Sequence, residues 1–315
     1  MSAEYDVIVL GAGPAGLMAA GFAAEAGASV LVLEKNSEPG RKLCVTGGGR
    51  GNLTHAEFDA RKLAACFGPA SRALLGPFSR FGPAEVLDFF AARGLACKTE
   101  ADGRVFPECE SAKAIRNVLV KWLKELGVVL QCNCNVQKVA SNSESAMFEV
   151  RYIEETGRQT PRSCIAGAQS LVLATGGEAM PSSGSTGDGF RWLAELGYAV
   201  QTVKPILVPM KIRESWLADL KGLALPDVAV TLAGSGAEKC TSRGAVMFTH
   251  YGLSGPAILN MAGSLPAANP AMAADPSPPA DPAPAKMKIM LDFFPDMERK
   301  ELDRHLQELL AANPR

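Results

Sequence analysis

No stretch of this chain approaches the roughly 20 consecutive apolar residues that a membrane-crossing helix needs. Neither sign of charge dominates, since 32 Lys and Arg against 33 Asp and Glu leave a net charge of −1. The first absence argues against a helical membrane span. The second removes the electrostatic case for nucleic acid or an anionic membrane as a partner. Histidine is scarce, at three residues. The eight cysteines (Cys44, Cys66, Cys97, Cys109, Cys132, Cys134, Cys164 and Cys240) show no disulfide-framework spacing. Cys132 and Cys134 form a CxC that reads as part of a strand, but no histidine lies near it, so no metal is expected there. The N-terminus begins as a strand carrying Glu4 and Asp6, unlike a secretory signal. The expected compartment is the cytoplasm and the expected partner a small molecule, while nothing indicates an oligomeric state.

What is present is apolar content and glycine. At 47% hydrophobic residues a chain of 315 can bury a sizeable core, and its length suggests about two domains. Asp6-Val7-Ile8-Val9-Leu10 runs into Gly11-Ala12-Gly13-Pro14-Ala15-Gly16, and after a small-residue helix Ser29-Val30-Leu31-Val32-Leu33 ends on Glu34. A buried strand, a GxGxxG turn, a helix and a second strand closing on an acid describe a dinucleotide-binding βαβ unit. Gly11 permits the tight turn, Gly13 lets the backbone approach a pyrophosphate, and Gly16 lets the helix lie close to the strand. The helix N-terminus receives the phosphates. Glu34, 18 residues past Gly16, stands where an acid accepts from both adenosine ribose hydroxyls, and its charge argues against a 2′-phosphate.

Arg41 to His55 carries Gly47, Gly48 and Gly49 beside Arg41, Lys42, Arg50 and Asn52. This composition suits an anion cradle, with a flexible surface loop as the lesser alternative. Apolar spacing predicts helices over 83–93 and 111–126, with Ser111 as N-cap and Gly94 and Gly127 as stops. Gly103 to Pro107 reads as extended. Strands are predicted at 128–132, 136–141 and 147–152 as a small antiparallel excursion, and Ser170 to Thr175 as a buried parallel strand returning to the nucleotide domain. A helix follows at 190–196. Beyond Pro205 the texture turns β-rich, with runs at 207–212, 228–232, 245–248 and 288–292 and a final helix at 297–312. The expected domains are residues 1–203 and 204–315, the second interrupted by a Pro/Ala-rich loop at 265–285.

These motifs in order, GRKLCVTGGGRGNLTH, GRVFPECESA, LVLATGG followed by GSTGDGFRWLAELGY, PILVPM and FTHYGLSGPAIL, resemble the BaiN-like, or aminoacetone-oxidase-family, FAD-binding flavoproteins from Tyr5 to about Asp292. The resemblance implies an α/β, Rossmann-like FAD-binding domain of the two-dinucleotide-binding-domain flavoprotein type, with an inserted β-rich second domain. It implies FAD contacts by Gly11, Gly13, Ala15, Gly16, Glu34, Arg41, Lys42, Gly48, Asn52, Val136, Thr175 and Gly176. Ala12, Pro14, Lys35, Gly47 and Ala174 beside them complete the expected cofactor set. Val136 rests on the resemblance alone. Two departures stand out. Where the family reads GGGRCN this chain has Gly49-Arg50-Gly51-Asn52, so a thiol role in that loop is not available. No glycine follows Gly263, whereas the family returns to its first domain through a glycine-rich C-terminal segment, so the expectation is a C-terminally truncated chain with an incomplete flavin site.

The expected activity is that of an FAD-dependent oxidoreductase. Two reactions stand open: an enone-type reduction with NAD(P)H as a diffusible reductant, and oxidation of a small amine with oxygen as acceptor. A catalytically silent partial flavoprotein or nucleotide-binding module is the alternative. His250 and Tyr251 are the nearest acid/base candidates in the second domain, in a segment that also reads as a hydrogen-bonded turn before a Ser254-capped helix. Arg104 and Asp188 fit a loop salt bridge or a helix cap as well as they fit substrate binding. No Cys-x4-Cys pair exists because position 49 is glycine, so thiols are not the expected redox centre. Cys44→Ser should leave flavin reduction largely intact in a stopped-flow assay, with FAD occupancy unchanged.

Overall fold

The computed structural model describes residues 3–142, 147–155, 157, 160–201, 203, 206–234, 237–262 and 287–312. The Pro/Ala-rich segment at 265–285 lies outside the described residues. The chain forms two compact units, Met1–Gln201 and Thr202–Arg315.

The first unit runs β1 (Ala3–Leu10), α1 (Pro14–Glu25), β2 (Val30–Leu33), β3 (Thr54–His55), α2 (Ala60–Ala65), α3 (Ser71–Arg80), α4 (Pro83–Ala91), β4 (Cys97–Thr99), β5 (Arg104–Pro107), α5 (Ala112–Glu125), β6 (Val129–Gln131), β7 (Cys134–Asn142), β8 (Met147–Glu154), β9 (Arg162–Leu173) and α6 (Asp188–Glu195). Its main sheet has the order β6-β2-β1-β9-β8-β7. The first four strands are parallel and the last two antiparallel. A small antiparallel sheet, β3-β5-β4, lies beside it in the chain's first half.

The continuous apolar runs of β1 and β2 follow from burial on both faces. Val9, Val30 and Val32 pack with Leu17 of α1 and with Ile115, Leu119 and Trp122 of α5. The alternate residues Ile8, Leu10, Leu31 and Leu33 pack with Cys134, Val136, Val150 and Trp192 on the other face. A strand covered on both sides has no polar face to show, which is why its period-2 signal disappears.

β9 is longer than the run at 170–175 suggests. Its beginning pairs with β8 and its end with β1, overlapping at 166–168. The expected antiparallel excursion therefore holds for β7 and β8 only, because β6 pairs parallel with β2. The CxC is not within a strand either. β6 ends at Gln131, β7 begins at Cys134, and Asn133 between them takes a left-handed turn at φ 56°. Burial, then the nearby Glu154 carboxylate, pushes the Cys134 thiol up to about 12, so it stays protonated.

Helices α4 and α5 form within the predicted spans, and Gly94 and Gly127 stop them at φ 79° and 74°. Ser111 occupies the cap position of α5 without a side-chain cap bond. α2 starts at Asp59, whose carboxylate accepts from the Arg61 and Lys62 N–H groups at 2.8 and 3.1 Å.

The second unit contains β10 (Met210–Lys211), β11 (Ala224–Gly234), β12 (Ala237–Phe248), β13 (Gly252–Ser254), α7 (Pro256–Ala262), β14 (Met287–Asp292) and α8 (Arg299–Ala312). Its sheet, in the order β10-β13-β12-β11-β14, is antiparallel throughout. Val228, Val230, Val246 and Phe248 pack under Ala257, Ile258 and Met261 of α7. Ser254 is the last residue of β13, so it does not cap the helix that begins at Pro256. Among the described residues no helix is long and apolar enough to cross a membrane.

The packing of α1 on α5 depends on Gly21. A Cβ there would lie 2.0 Å from the Trp122 ring. That ring is pinned by the Nε1–H bond to Glu25 at 3.0 Å, by Phe89 at 4.8 Å and by the Arg93 guanidinium at 4.7 Å. Gly21→Ala should therefore lower stability by about 1–3 kcal/mol through overpacking, read as a lower melting temperature in calorimetry.

Candidate functional site

The parallel pairing of β1 with β2 and β9 brings three strand ends to one edge, and the turn after β1 is built around them. The Gly11 N–H donates to the Leu33 carbonyl at 2.8 Å. Gly11 sits at φ +100°, and a Cβ there would lie 2.6 Å from the Ala174 carbonyl oxygen. A Cβ on Gly16 would lie 1.9 Å from the Gly11 carbonyl oxygen. These two glycines are required by the chain's contact with itself. Gly13 is different, because a Cβ there would meet nothing within 4 Å. It is the N-cap of α1, followed by Pro14, with no side-chain cap and no acid in the first turn. An uncapped helix start beside open space leaves backbone N–H donors without partners from the chain, the kind of end that suits an anion.

Glu34 is 7% exposed. Its Oε2 accepts the Ala12 N–H at 2.8 Å, and its Oε1 accepts the Asn36 N–H at 2.9 Å and Asn36 Nδ2 at 2.7 Å. A carboxylate offers about four acceptor sites. With three occupied inside the chain, about one remains for a ligand, where the sequence suggested a carboxylate accepting from both hydroxyls of a ribose.

The segment after Glu34 is tied to the loop before α6 at several points. Lys35 Nζ donates to Thr186 Oγ1 at 2.6 Å and pairs with Asp188 at 2.8 Å. Asn36 Nδ2 reaches the Ser183 carbonyl at 3.3 Å, and Lys42 Nζ reaches Ser185 Oγ at 2.8 Å. Burial alone would raise the Asp188 carboxyl, but the hydrogen bonds from Lys35 and Thr186 outweigh it and hold the group below its ordinary value. Asp188 is thus ionised at neutral pH and neutralises Lys35. No carboxylate among the described residues pairs with Arg41 or Lys42, and these two leave the net positive charge at the site.

Together these elements enclose a cavity of about 590 Å³ within the first unit, inside the ~300–1,000 Å³ usual for small-molecule and cofactor sites. Of the residues expected from the sequence, Gly11, Gly13, Pro14, Ala15, Glu34, Lys35, Arg41, Lys42, Val136, Ala174, Thr175 and Gly176 line it. Ala12, Gly16, Gly47, Gly48 and Asn52 do not.

The glycine-rich loop is a distorted 3-10 segment, Leu43–Gly49, with Gly47, Gly48 and Gly49 all at positive φ. It sends Thr46 to the cavity. Arg50 turns away to Glu100 at 2.6 Å and lies over the Phe106 ring at 3.9 Å, so it adds no charge to the cradle. Arg104 is likewise held by Asp102 and Glu100, at 2.6 and 3.2 Å. Asn36, Ser183, Ser185, Asp188 and Trp192 also line the cavity. The GSTGDGFRW motif was the available signal for the last three.

In the second unit His250 and Tyr251 stack edge to face at 4.5 Å in an exposed turn. Thr249 closes that turn on Gly252 through its N–H at 2.8 Å and its hydroxyl at 3.0 Å.

Residues 5–261 match the family described as HI0933-like protein Rossmann domain. The chain belongs to that family, the FAD-binding flavoproteins that the sequence motifs resemble. Over 262 residues it is 28% identical to the ribosomal RNA dihydrouridine synthase of Escherichia coli, covering 82% of this chain and 60% of that protein. Over 307 residues it is 27% identical to the 3-dehydro-bile acid delta(4,6)-reductase of Clostridium scindens, covering 95% of this chain and 68% of that protein. The chain thus spans about two thirds or less of the length of these relatives. A flavocytochrome c3 fumarate reductase structure superposes with a TM-score of 0.48 at 21% identity, over 71% of this chain and 47% of the other; a likeness that distant has no bearing on activity.

The contrast between Gly13 and Gly16 is testable in the protein without ligand. Gly13→Val should change stability by no more than about 1 kcal/mol, the scale of an altered cap. Gly16→Ala should cost about 1–3 kcal/mol or more through the clash with the Gly11 carbonyl. Melting temperatures of the two variants, compared with the parent, check this.

Proposed function

We propose that the first unit binds FAD and that the chain is an FAD-dependent oxidoreductase which reduces an activated carbon–carbon double bond in a small organic substrate, with NAD(P)H as diffusible reductant. The observation that carries the cofactor reading is the open space at Gly13 in front of an uncapped helix, in a cavity also lined by Arg41 and Lys42, neither of which has a carboxylate partner among the described residues, and by Glu34 at the end of the next strand. That donor set fits a dinucleotide. The free N–H groups at the start of α1 and the two cations hold the pyrophosphate, and the remaining acceptor site of Glu34 takes a ribose hydroxyl. Val136 and the strand-end residues Ala174, Thr175 and Gly176 bound the cofactor on the other side. Gly47, Gly48 and Asn52 act indirectly, by shaping the loop that brings Thr46 to the cavity. Lys35 acts indirectly as well, as the anchor of the loop before α6.

FAD, when bound, supplies the hydride chemistry, and the protein supplies binding, orientation and exclusion of water. Reduction is favoured over amine oxidation by the activities of the two relatives, one a reductase and the other a dihydrouridine synthase, whose product is a pyrimidine with a saturated ring double bond. The net charge of −1 favours a small molecule over RNA, because nucleic-acid binding draws on an excess of Lys and Arg. The eight cysteines, none in a disulfide, favour a reducing compartment such as the cytoplasm.

Absorbance of the purified chain tests FAD binding directly. Anaerobic bleaching of the flavin band by NADH or NADPH supports the reductase reading, and bleaching by a small amine instead transfers it to amine oxidation. Bound flavin that neither reagent reduces identifies a nucleotide-binding module. Glu34→Ala should weaken FAD binding by about 1–3 kcal/mol. It should also lower the melting temperature without FAD, because the Ala12 N–H then loses its acceptor. Calorimetric titration and a thermal scan separate the two effects.

A further inference from the structure

The loop that carries Thr46 to the cavity contains the stretch of the site that is hardest to hold still. Gly47, Gly48 and Gly49 follow one another at positive φ, and glycine loses more conformational freedom on being fixed than any other residue. The bonds that close the loop are local. The Gly51 N–H donates to the Thr46 carbonyl at 3.0 Å, the Arg50 N–H to the Gly47 carbonyl at 3.4 Å, and Thr46 Oγ1 to the Leu43 carbonyl at 2.8 Å.

Order is supplied from outside by the residue that follows the glycines. Arg50 donates from both Nη atoms to the two oxygens of Glu100, at 2.6 and 3.3 Å, and its guanidinium lies over the Phe106 ring at 3.9 Å. From Thr46 to Asn52, among the described residues, no other side chain hydrogen-bonds outside the loop. Phe106 is fully buried, and a Cβ on Gly47 would lie 2.8 Å from its Cε1. One ring therefore seats the loop on either side of the glycines. Glu100 stands in the turn between β4 and β5, where its N–H donates to the Arg104 carbonyl at 2.8 Å, and Phe106 belongs to β5. The small sheet β3-β5-β4 is thus the platform on which the loop rests. Neither Arg50 nor Glu100 lines the cavity, so what they do for a ligand passes through the loop.

We propose that Arg50 is a positioning residue for the ligand cavity: clamped to Glu100 and Phe106, it holds the glycine run in the one form that turns Thr46 inward. A loop fixed in advance spares the ligand the cost of ordering it on binding. The proposal rests on the reading of this cavity as a dinucleotide site. It gives opposite signs to two effects at Glu100. Through charge alone, removing a carboxylate strengthens an anionic ligand; through the loop, removing it weakens the same ligand.

The experiment titrates FAD into the full chain by calorimetry, well below the melting temperature, and follows hydrogen exchange in peptides covering residues 43–52 by mass spectrometry. Arg50→Ala should weaken FAD about tenfold, the effect of having to order one or two backbone residues on binding. Without ligand, its loop amides should exchange about tenfold faster than the parent's and slow again when FAD saturates the site. Its melting temperature should fall by no more than about 2–4 °C, because a partly exposed ion pair contributes little to global stability. Arg50→Lys should behave as Arg50→Ala does, since an ammonium offers neither the fork nor the planar stack. Glu100→Gln should also weaken FAD, and the double variant Arg50→Ala with Glu100→Gln should bind no more weakly than Arg50→Ala, because the two residues act as one unit.

Unchanged or stronger FAD binding in Glu100→Gln overturns the proposal, as do additive losses in the double variant or loop exchange in Arg50→Ala equal to the parent's. If Arg50→Ala does not fold, Arg50→Lys and Glu100→Gln decide by the same two measurements. A parent chain that binds no FAD overturns the dinucleotide reading, whereas the exchange comparison, which needs no ligand, still decides whether Arg50 fixes the loop. The two failures are therefore distinguishable.

Discussion

The bond from the Ala12 N–H to the buried Glu34 carboxylate, at 2.8 Å, joins the turn after β1 to the end of β2, and the site is arranged around it. It holds the start of α1 against the sheet edge, so that the open helix end faces the cavity. Asn36 takes the other carboxylate oxygen. The chain after β2 then runs toward the loop before α6. A buried carboxylate without these donors would be costly, so acid, turn and following segment stand or fall together.

The links between residues 35–42 and 183–188 are individually weak. The Lys35–Asp188 pair is about a third exposed on each side, and such pairs contribute about 0–1 kcal/mol. Several of them, together with the Lys42 and Asn36 bonds, define one face of the cavity. Their electrostatic effect is selective. Asp188 removes the charge of Lys35 from the site, whereas Arg41 and Lys42 keep theirs. The positive charge of the cavity therefore rests on Arg41, which reaches Asn36 beside Glu34, and on Lys42, which reaches Ser185.

Much of the site was legible in the sequence because its signals are local. The order strand, GxGxxG, helix, strand and acid spans the first 34 residues, and Gly11 and Gly16 answer to close contacts around the turn itself, while Gly13 borders open space. Other elements carried no such signal. α3 carries Leu74, Leu75 and Phe78 at helical spacing but buries no residue, and Pro77 in its interior masks the helix signal. The assignment of β6 to an antiparallel excursion failed because a three-residue strand has no pattern that tells parallel from antiparallel pairing. The CxC read as a strand because the left-handed turn at Asn133 needs no glycine; asparagine tolerates it.

The sequence by itself determined the βαβ unit, the acid at its end, the boundaries of the strongly amphipathic helices and the family to which the chain belongs. These depend on residue types at short, constant spacing. The tertiary structure alone decided that Lys35 answers Asp188, 153 residues away, and not a phosphate. It decided that Arg50 leaves the glycine loop for Glu100, and that Trp192 reaches a cavity wall. Charged and aromatic side chains choose partners by distance in the folded state, and that distance has no counterpart along the chain.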